Sequence, residues 1–324
     1  MSSRGIYNKR VSDNVFMNRF VGVIFTLGCF TSAVAQLAAQ PASDAACTPN
    51  PVGHVETVPL ASRVFHNYRN LRVWLPAGYE LPANAKTHYP VLYLLDGASV
   101  FDACSAYKHE TIGADKILTD LIAAGKIPPV IAVAIENGSD AAGPLDTGQG
   151  RAREFLPWFD PWEPDIRDTL GQHFPDFLAD DVMPLIQAKY RTLDGNSTLW
   201  GASYGGVAAL YTAIHRPELF DAIIAESPSI QPGNGQLLRD TVSLVLLPPK
   251  IALGIGTAEF GPEEPDAALK NAAWVRGVRQ LTENLKATAY IHPSVQLTVA
   301  EGAHHSMVEF GARLTKDLLF VYTK

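Results

Sequence analysis

Apolar segments of strand length alternate with segments of helix length from about residue 53 to the end of the sequence, and this alternation constrains the fold most strongly. Seven short segments rich in β-branched, aromatic or other apolar residues are predicted to be strands: 71–75, 91–95, 130–135, 197–200, 222–225, 251–255 and 295–299. Five longer segments are predicted to be helices: 112–123, 177–190, 206–215, 267–285 and 307–322. Strands that alternate with helices of this length predict an α/β fold, in which a central, mostly parallel sheet carries helices on both faces.

The first 35 residues have the organisation of a secretory signal peptide. Basic residues precede an apolar stretch, 20–34, that ends in the small-x-small pattern Ala33-Val34-Ala35. This stretch is too short for a comfortable transmembrane helix, although an uncleaved anchor is the alternative. We therefore expect a signal peptide over 1–35, a flexible segment over 36–52 and one domain over 53–324. The mature protein is then expected to be periplasmic or secreted, with no stable membrane span.

Composition and charge exclude several classes of protein. The chain is 47% hydrophobic and 18% charged, which is too apolar for a disordered protein and ordinary for a globular one. Its net charge is -7 and it has no long basic run, so we expect no nucleic-acid partner. No Cys or His cluster has metal-ligand spacing, which predicts no metal site. Cys47 and Cys104 can pair in an oxidising compartment, but their spacing does not decide this.

The strongest local signal for function is the segment Gly201-Ala202-Ser203-Tyr204-Gly205, which fits the pattern G-x-S-x-G. It lies between a predicted strand and the predicted helix 206–215. A serine at such a sharp strand-to-helix turn is pushed out of the sheet, and small neighbours are needed where the backbone packs tightly. The start of the helix also directs N–H groups at a developing negative charge. Ser203 is therefore predicted to be a nucleophile.

A serine nucleophile needs a base, and the base needs an acid to orient it. In this architecture both follow the serine along the chain. The loop after the last predicted strand carries His304 and His305, either of which can be the base. For the acid, Glu259 follows the predicted strand 251–255 and is favoured over Asp266. Asp266 opens a predicted helix, where an acidic side chain stabilises the helix dipole instead.

Two backbone N–H groups are needed to hold the oxyanion of an acyl-transfer reaction. The first is expected from Tyr204, the residue after the nucleophile. The second is expected from Gly97 or Ala98, which follow the predicted strand 91–95.

Residues 136–165 do not fit the alternation of strands and helices. They contain several Gly and Pro residues, the tryptophans Trp158 and Trp162, and scattered charges. Loops of this length in compact domains are more often functional than idle, so we expect a lid or a wall of the substrate site here.

Several motifs occur in an order that resembles an esterase family of α/β-hydrolases. That family includes enterochelin (siderophore) esterases, feruloyl and acetyl-xylan esterases, formylglutathione hydrolases and mycolyltransferases. The resemblance extends from about residue 65 to the C-terminus. It is carried by the segments 75–79 (LPAGY), 89–97 (YPVLYLLDG), 153–157 (REFLP), 189–192 (KYRT), 201–206 (GASYGG), 216–220 (RPELF) and 227–229 (SPS).

The resemblance implies hydrolysis of carboxylic esters by a Ser-His-acid triad without a cofactor. The family's closing E-G-x-x-H motif matches residues 301–305 and implies that His305, not His304, is the base. The family's acid follows a G-T-x-E-like strand end, which implies Glu259. Two departures leave the substrate open, because members often have tryptophans at places that are occupied here by residues 230–232 and by Phe310.

The first substrate hypothesis is a siderophore of the enterochelin type, an anionic triscatecholate lactone. Such a substrate needs cations near the cleft, and Arg151 and Arg153 are the candidates. The alternatives are a feruloyl or acetyl esterase acting on polysaccharide or small esters, an acyltransferase, and a non-catalytic binding protein on the same scaffold. The complete set of candidate triad residues argues against the last.

Overall fold

Long apolar runs form the central sheet of the molecule. In this computed structural model, which describes residues 51–138, 149–287 and 292–323, eight strands pair in the order β1-β2-β4-β3-β5-β6-β7-β8. Their bounds are β1 His54–Ala61, β2 Tyr68–Leu75, β3 Tyr89–Leu94, β4 Ile131–Ile135, β5 Thr192–Ala202, β6 Ala222–Glu226, β7 Lys250–Gly256 and β8 Ser294–Ala300. The strands from β4 to β8 in this order run parallel to one another, while β2 is antiparallel to both β1 and β4.

The burial of the strands explains their sequence pattern. β3, β4 and β6 are buried at every position, as is typical of parallel strands that are covered on both faces. The predicted mostly parallel sheet is thus confirmed, and each predicted strand has a counterpart in it. The sequence pattern does not predict β1, because this edge strand mixes polar residues and Pro59 with its apolar ones.

Five of the helices match predicted segments. The helices are α1 Ala114–Ala123, α2 Gln149–Phe155, α3 Phe174–Asp176, α4 Met183–Lys189, α5 Tyr204–His215, α6 Pro232–Asp240, α7 Ala267–Lys286 and α8 Met307–Tyr322. The predicted helix 177–190 consists of a π-helical segment, Phe177–Val182, followed by α4. α2 lies within the stretch predicted as a loop. The sequence pattern does not predict α6, because this helix begins with turn-forming residues, of which Gly233, Asn234 and Gly235 have positive φ.

Each face of the sheet carries its own layer of helices. α1 and α8 pack on one face, where Leu118 and Leu314 are buried with Trp200 of the sheet. α5, α7 and the segment from α3 to α4 pack on the other face, around buried residues such as Phe177 and Leu253. The parallel strands therefore end at the same edge of the sheet, and the loops after β3, β5, β6, β7 and β8 lie together there.

The predicted signal peptide, 1–35, and nearly all of the predicted flexible segment, 36–52, lie outside the described residues. All described residues belong to one compact unit. Within them, no helix has both the length and the apolar character needed to cross a bilayer. Cys104 is disulfide-bonded, and Cys47 lies outside the part of the chain that is described.

Candidate active site

Ser203 lies on a tight turn between the end of β5 and the start of α5. Its φ is 57° and its ψ is -121°, a backbone conformation that few non-glycine residues adopt. The Ser203 N–H donates to the carbonyl of Glu226 at 2.9 Å, which anchors the turn to β6. A Cβ at Gly201 would collide with the carbonyl group of Gly205, so the turn requires glycine there. The G-x-S-x-G segment thus forms the predicted strand-to-helix elbow, with Ser203 at its apex.

His305 and Glu259 are brought together by the loops that follow β8 and β7. The Nδ1 atom of His305 lies 2.6 Å from Oε2 of Glu259. The other carboxylate oxygen, Oε1, accepts the Gly256 N–H at 2.6 Å and the Ser227 hydroxyl at 2.5 Å. His305 and Ser203 line the same cavity, whose volume is about 350 Å³. The residues predicted as base and acid are therefore in contact, and the predicted nucleophile lines the same cavity as the base at the carboxyl edge of the sheet.

The electrostatics of Glu259 suit an orienting acid. Its side chain is buried, and burial raises the pKa of its carboxyl group. Hydrogen bonds from His305, Ser227 and Gly256, together with the charge of His305, outweigh burial and lower the pKa overall. Glu259 is thus held as a carboxylate that faces a ring nitrogen of His305.

The two rival residues for the base and the acid lie elsewhere. His304 directs its Nδ1 at the carbonyl of Ala258, 2.8 Å away, and lines a separate groove beside Phe260 and Ala268. Asp266 is the exposed residue that precedes α7, and it has a positive φ of 59°. Of the open alternatives, His305 and Glu259 are the pair in contact.

The candidate oxyanion donors lie on two turns at this edge. Tyr204 is the first residue of α5, where N–H groups have no partner within the helix. Gly97 and Ala98 begin a 3₁₀ turn, Gly97–Ser99, directly after Asp96. The backbone of Gly97 packs against the end of β4 so closely that a Cβ would collide with it, whereas Ala98 lines the cavity with Ser203. Ala98 is thus the better placed of the two predicted alternatives.

The two arginines predicted to bind substrate have different surroundings. Arg151, on α2, lines the cavity, but its Nε and Nη2 atoms donate to both carboxylate oxygens of Asp96 at 2.5 and 2.7 Å. Burial lowers the pKa of Arg151, and Asp96 more than offsets this, so the guanidinium is charged and already paired. Arg153 is exposed, donates to the Asp168 carbonyl and is absent from the cavity lining. Lys108, which sequence reasoning did not single out, does line the cavity.

A buried polar cluster beneath Glu259 was missed by the sequence reasoning. Ser227 follows β6, and its hydroxyl accepts from Nη2 of Arg313 at 3.2 Å. Arg313, on α8, donates through Nε to Oε2 of Glu226 at 2.5 Å. Burial and the charge of Asp317 raise the pKa of Glu226 well above its ordinary value, although Arg313 opposes them. The available signals were a glutamate that ends an apolar strand and an arginine on the apolar face of α8.

Room for this cluster comes from a glycine on the neighbouring strand. Gly254 lies in the middle of β7, opposite Glu226, and its φ is not positive. A Cβ at this position would collide with the carboxyl group of Glu226. The absence of a side chain at 254 therefore allows a glutamate to occupy the space between the two strands.

The segment after α2 is tied to the elbow by a buried carboxylate. The hydroxyl of Tyr204 donates to Oδ2 of Asp160 at 2.8 Å, and Asp160 is fully buried. Burial and this bond raise the pKa of the Tyr204 hydroxyl. The region predicted as a lid or wall thus contacts the turn that carries Ser203, while its residues 139–148 lie outside the described part. Among the described residues, no group of three or more His, Cys, Asp or Glu side chains could hold a metal ion.

Comparison with known families and proteins gives consistent matches. The sequence model of the "Putative esterase" family matches residues 62–321. The ferri-bacillibactin esterase BesA of Bacillus subtilis is 30% identical over 173 residues, which cover 50% of this chain and 55% of that protein. The siderophore triacetylfusarinine C esterase of Aspergillus fumigatus is 28% identical over 165 residues, 49% of this chain and 51% of that protein. The chain thus spans about half the length of these curated relatives.

Solved structures share the fold at lower identity. A BES protein from Bacillus cereus has a TM-score of 0.63 and 19% identity, covering 83% of this chain and 95% of that one. The siderophore hydrolase EstB from Aspergillus nidulans has a TM-score of 0.63 and 21% identity, covering 86% of this chain and 96% of that one. These likenesses establish an α/β-hydrolase-like fold for the chain.

Proposed function

Because the chain belongs to the "Putative esterase" family, we propose that it hydrolyses siderophore esters, with Ser203 as nucleophile, His305 as base and Glu259 as orienting acid. The family membership makes it an esterase related to siderophore esterases. The observation that carries the finer proposal is the 2.6 Å contact between His305 and Glu259 at a cavity that Ser203 also lines.

The proposed mechanism is acyl transfer in two steps. His305 takes the proton of the Ser203 hydroxyl through Nε2 as the serine oxygen attacks the ester carbonyl. His305 then gives that proton to the departing alcohol, which leaves an acyl group on Ser203. Water, activated by the same imidazole, attacks the acyl group and releases the acid. Glu259 accepts the Nδ1–H of His305 throughout, and its lowered pKa keeps it charged to do so.

The oxyanion of each tetrahedral intermediate is proposed to be held by the N–H groups of Tyr204 and Ala98. Tyr204 begins α5, so the helix dipole also favours negative charge at this point. The two turns approach the cavity from β5 and β3, which pair side by side. Loss of one such donor typically costs on the order of 100-fold in rate.

The siderophore assignment draws on the relatives and on the cavity. The curated relatives include esterases of ferri-bacillibactin, triacetylfusarinine C and enterobactin. A cavity of about 350 Å³ is at the small end for ligand sites, so one acyl arm of such a substrate would enter while the rest stays outside. Arg151 is paired with Asp96, and Lys108 is a second cation in the cavity lining, so both are candidates for contact with an anionic arm.

Hydrolysis by the chain purified from Gln36 onward tests this function. The panel holds ferric enterobactin, ferri-bacillibactin, triacetylfusarinine C, a feruloyl ester, an acetylated xylan fragment and a short nitrophenyl ester. We expect one of the siderophores to have the highest kcat/KM, and Ser203→Ala to lower kcat by about 10⁴-fold or more.

Each contrary outcome of this panel has a definite meaning. Preference for the feruloyl or acetyl ester would keep the esterase and reject the siderophore. Acyl transfer to an added alcohol in preference to water would make the protein an acyltransferase. Full activity of Ser203→Ala, with the fold intact by circular dichroism, would reject the nucleophile.

We also propose a periplasmic or secreted location. Support comes from the basic, apolar and small-residue regions of residues 1–35. Mass spectrometry of the exported protein checks this, because cleavage as proposed leaves Gln36 at the amino terminus.

A further inference from the structure

We infer that Ser227 is a positioning residue of the proposed triad, whose hydroxyl holds Glu259 in the orientation that meets His305. This inference rests on the proposed function. Ser227 is fully buried and does not line the cavity, so it acts through Glu259 rather than on a substrate.

The first step of the argument is the hydrogen bonding of Glu259. Its Oε1 atom accepts two bonds, from the Ser227 hydroxyl at 2.5 Å and from the Gly256 N–H at 2.6 Å. These two donors fix Oε1, and the plane of the carboxylate then places Oε2 at 2.6 Å from Nδ1 of His305. Without the hydroxyl, Oε1 keeps one donor and a buried lone pair loses its partner.

The second step concerns the direction of the Ser227 hydroxyl. A hydroxyl group can rotate, and its proton can in principle point away from Glu259. Here Nη2 of Arg313 donates to Oγ of Ser227 at 3.2 Å, which occupies a lone pair and leaves the proton to face Glu259. Arg313 is itself fixed, because its Nε donates to Oε2 of Glu226 at 2.5 Å. The orientation is thus set by a charged group that belongs to α8.

The third step is that α8 supports the triad from both sides. Its N-cap, Ser306, directly follows His305 and accepts the N–H of Glu309. The ring of Phe310 packs edge-on against the His305 ring at 5.1 Å between centroids. One helix therefore positions the base through its first turn and the acid through Arg313 and Ser227.

The backbone of Ser227 separates the role of its hydroxyl from that of its conformation. Its φ is 43°, in the left-handed region that glycine adopts without strain. A glycine would therefore suit the turn at least as well as serine, and the hydroxyl is the feature that serine adds. Ser227→Gly removes the hydroxyl and relieves the backbone, whereas Ser227→Ala removes only the hydroxyl.

Both variants are measured for kcat and KM on the best ester across a range of pH. We expect kcat to fall about ten-fold in each, the effect of one hydrogen bond to a charged group, with KM unchanged. The acid limb of kcat/KM should move to lower pH, because a Glu259 carboxylate that no longer meets Nδ1 stabilises the positive charge of a protonated imidazole less. Thr282→Val is the matched control, since it removes a buried hydroxyl that donates to the Val278 carbonyl of its own helix.

A readout that does not need turnover keeps this test separate from the proposed function. The Nδ1–H of His305 should give a downfield proton resonance in NMR, assigned by its loss in His305→Asn. We expect the resonance to broaden or move upfield in both Ser227 variants and to stay in Thr282→Val. If the wild type cleaves no ester, the proposed function fails, yet this change would still support the positioning role. An unchanged resonance and acid limb in Ser227→Gly and Ser227→Ala, with only a shift in Tm, would overturn the inference.

Discussion

Two buried glutamates, Glu226 and Glu259, lie at the ends of neighbouring strands and have opposite pKa shifts. Glu226 is the last residue of β6, and Glu259 follows β7 by three residues. Both are shielded from solvent, with relative exposures of 0% and 5%. The pKa of Glu226 is raised well above its ordinary value, while that of Glu259 is lowered.

The difference lies in the neighbours, since burial is common to both. Glu259 receives N–H or O–H donors at both oxygens and faces the ring of His305. Glu226 receives the guanidinium of Arg313, but a second buried carboxylate, Asp317, competes for the same cation. Two buried acids beside one guanidinium compete for its charge, and the pKa of each is raised. Donors and like charges, rather than depth, decide which buried acid is available as an anion.

The largest expected effect comes from exchanging each glutamate for its amide. Glu259→Gln should lower kcat by about 10³- to 10⁴-fold, because an amide can present an N–H to His305 and favour the wrong tautomer. Glu226→Gln keeps the shape of the side chain, and Glu226 does not contact His305, so its loss of kcat should be less than about ten-fold. Steady-state kinetics on the best ester measure both, and equal losses in the two variants would break the comparison.

The next effect in size concerns Arg313, the cation of the buried polar cluster beneath Glu259. Arg313→Met leaves Glu226 and Asp317 buried side by side without their cation and should lower the free energy of unfolding by about 3–5 kcal/mol. The double variant Arg313→Met/Glu226→Gln should recover part of this loss, since one of the two acids is gone. Urea unfolding at neutral pH measures both. A single variant as stable as the wild type would show that Asp317 and Glu226 do not need the guanidinium.

The smallest effect, and the sharpest in sign, is the pH dependence of stability. Glu259 has a lowered pKa in the folded state. Its contribution to the free energy of unfolding is therefore present above the pKa of the unfolded state, and it is lost as the pH falls through the pKa of the folded state. Glu226 has a raised pKa in the folded state. Its contribution to the free energy of unfolding is therefore complete below the pKa of the unfolded state, and it is lost as the pH rises toward the pKa of the folded state. As pH rises, Glu226→Gln should therefore gain stability relative to the wild type, while Glu259→Gln should lose it over the acid range.

Unfolding free energies of the wild type and both variants, measured from acid to alkaline pH, check these signs. Differences that change in the same direction for both variants would contradict the assigned ionisation states.

The fold was largely predictable because most of its elements have strong periodic signals. The bounds of α8 match the predicted helix 307–322, since it has an N-cap at Ser306 and a regular apolar face. β1 could not be predicted, because an edge strand needs only a partner for its backbone and its side chains carry little pattern. The π-helical segment before α4 has the same apolar spacing as an α-helix at the level of sequence.

The candidate site was predictable where one residue's local setting identifies it. Ser203 has a turn motif, and Glu259 follows a recognisable strand, whereas the local setting left His304 and His305 open and only the family resemblance favoured His305. The state of Arg151 was not predictable, because its partner, Asp96, is 55 positions away. The same holds for Ser227 and Arg313, which are separated by 86 positions and have no pattern in common. Contacts of this kind exist only once the sheet has formed.

Gly254 shows how one side chain can dictate the identity of another residue. A glycine within a strand ordinarily suggests a bulge or a weak strand, yet β7 is regular here and the φ of Gly254 makes no special demand. The glycine is required by Glu226, which fills the volume where its side chain would be. Positions 226 and 254 should therefore covary among homologues, so that any residue larger than glycine at 254 occurs with a shorter side chain at 226.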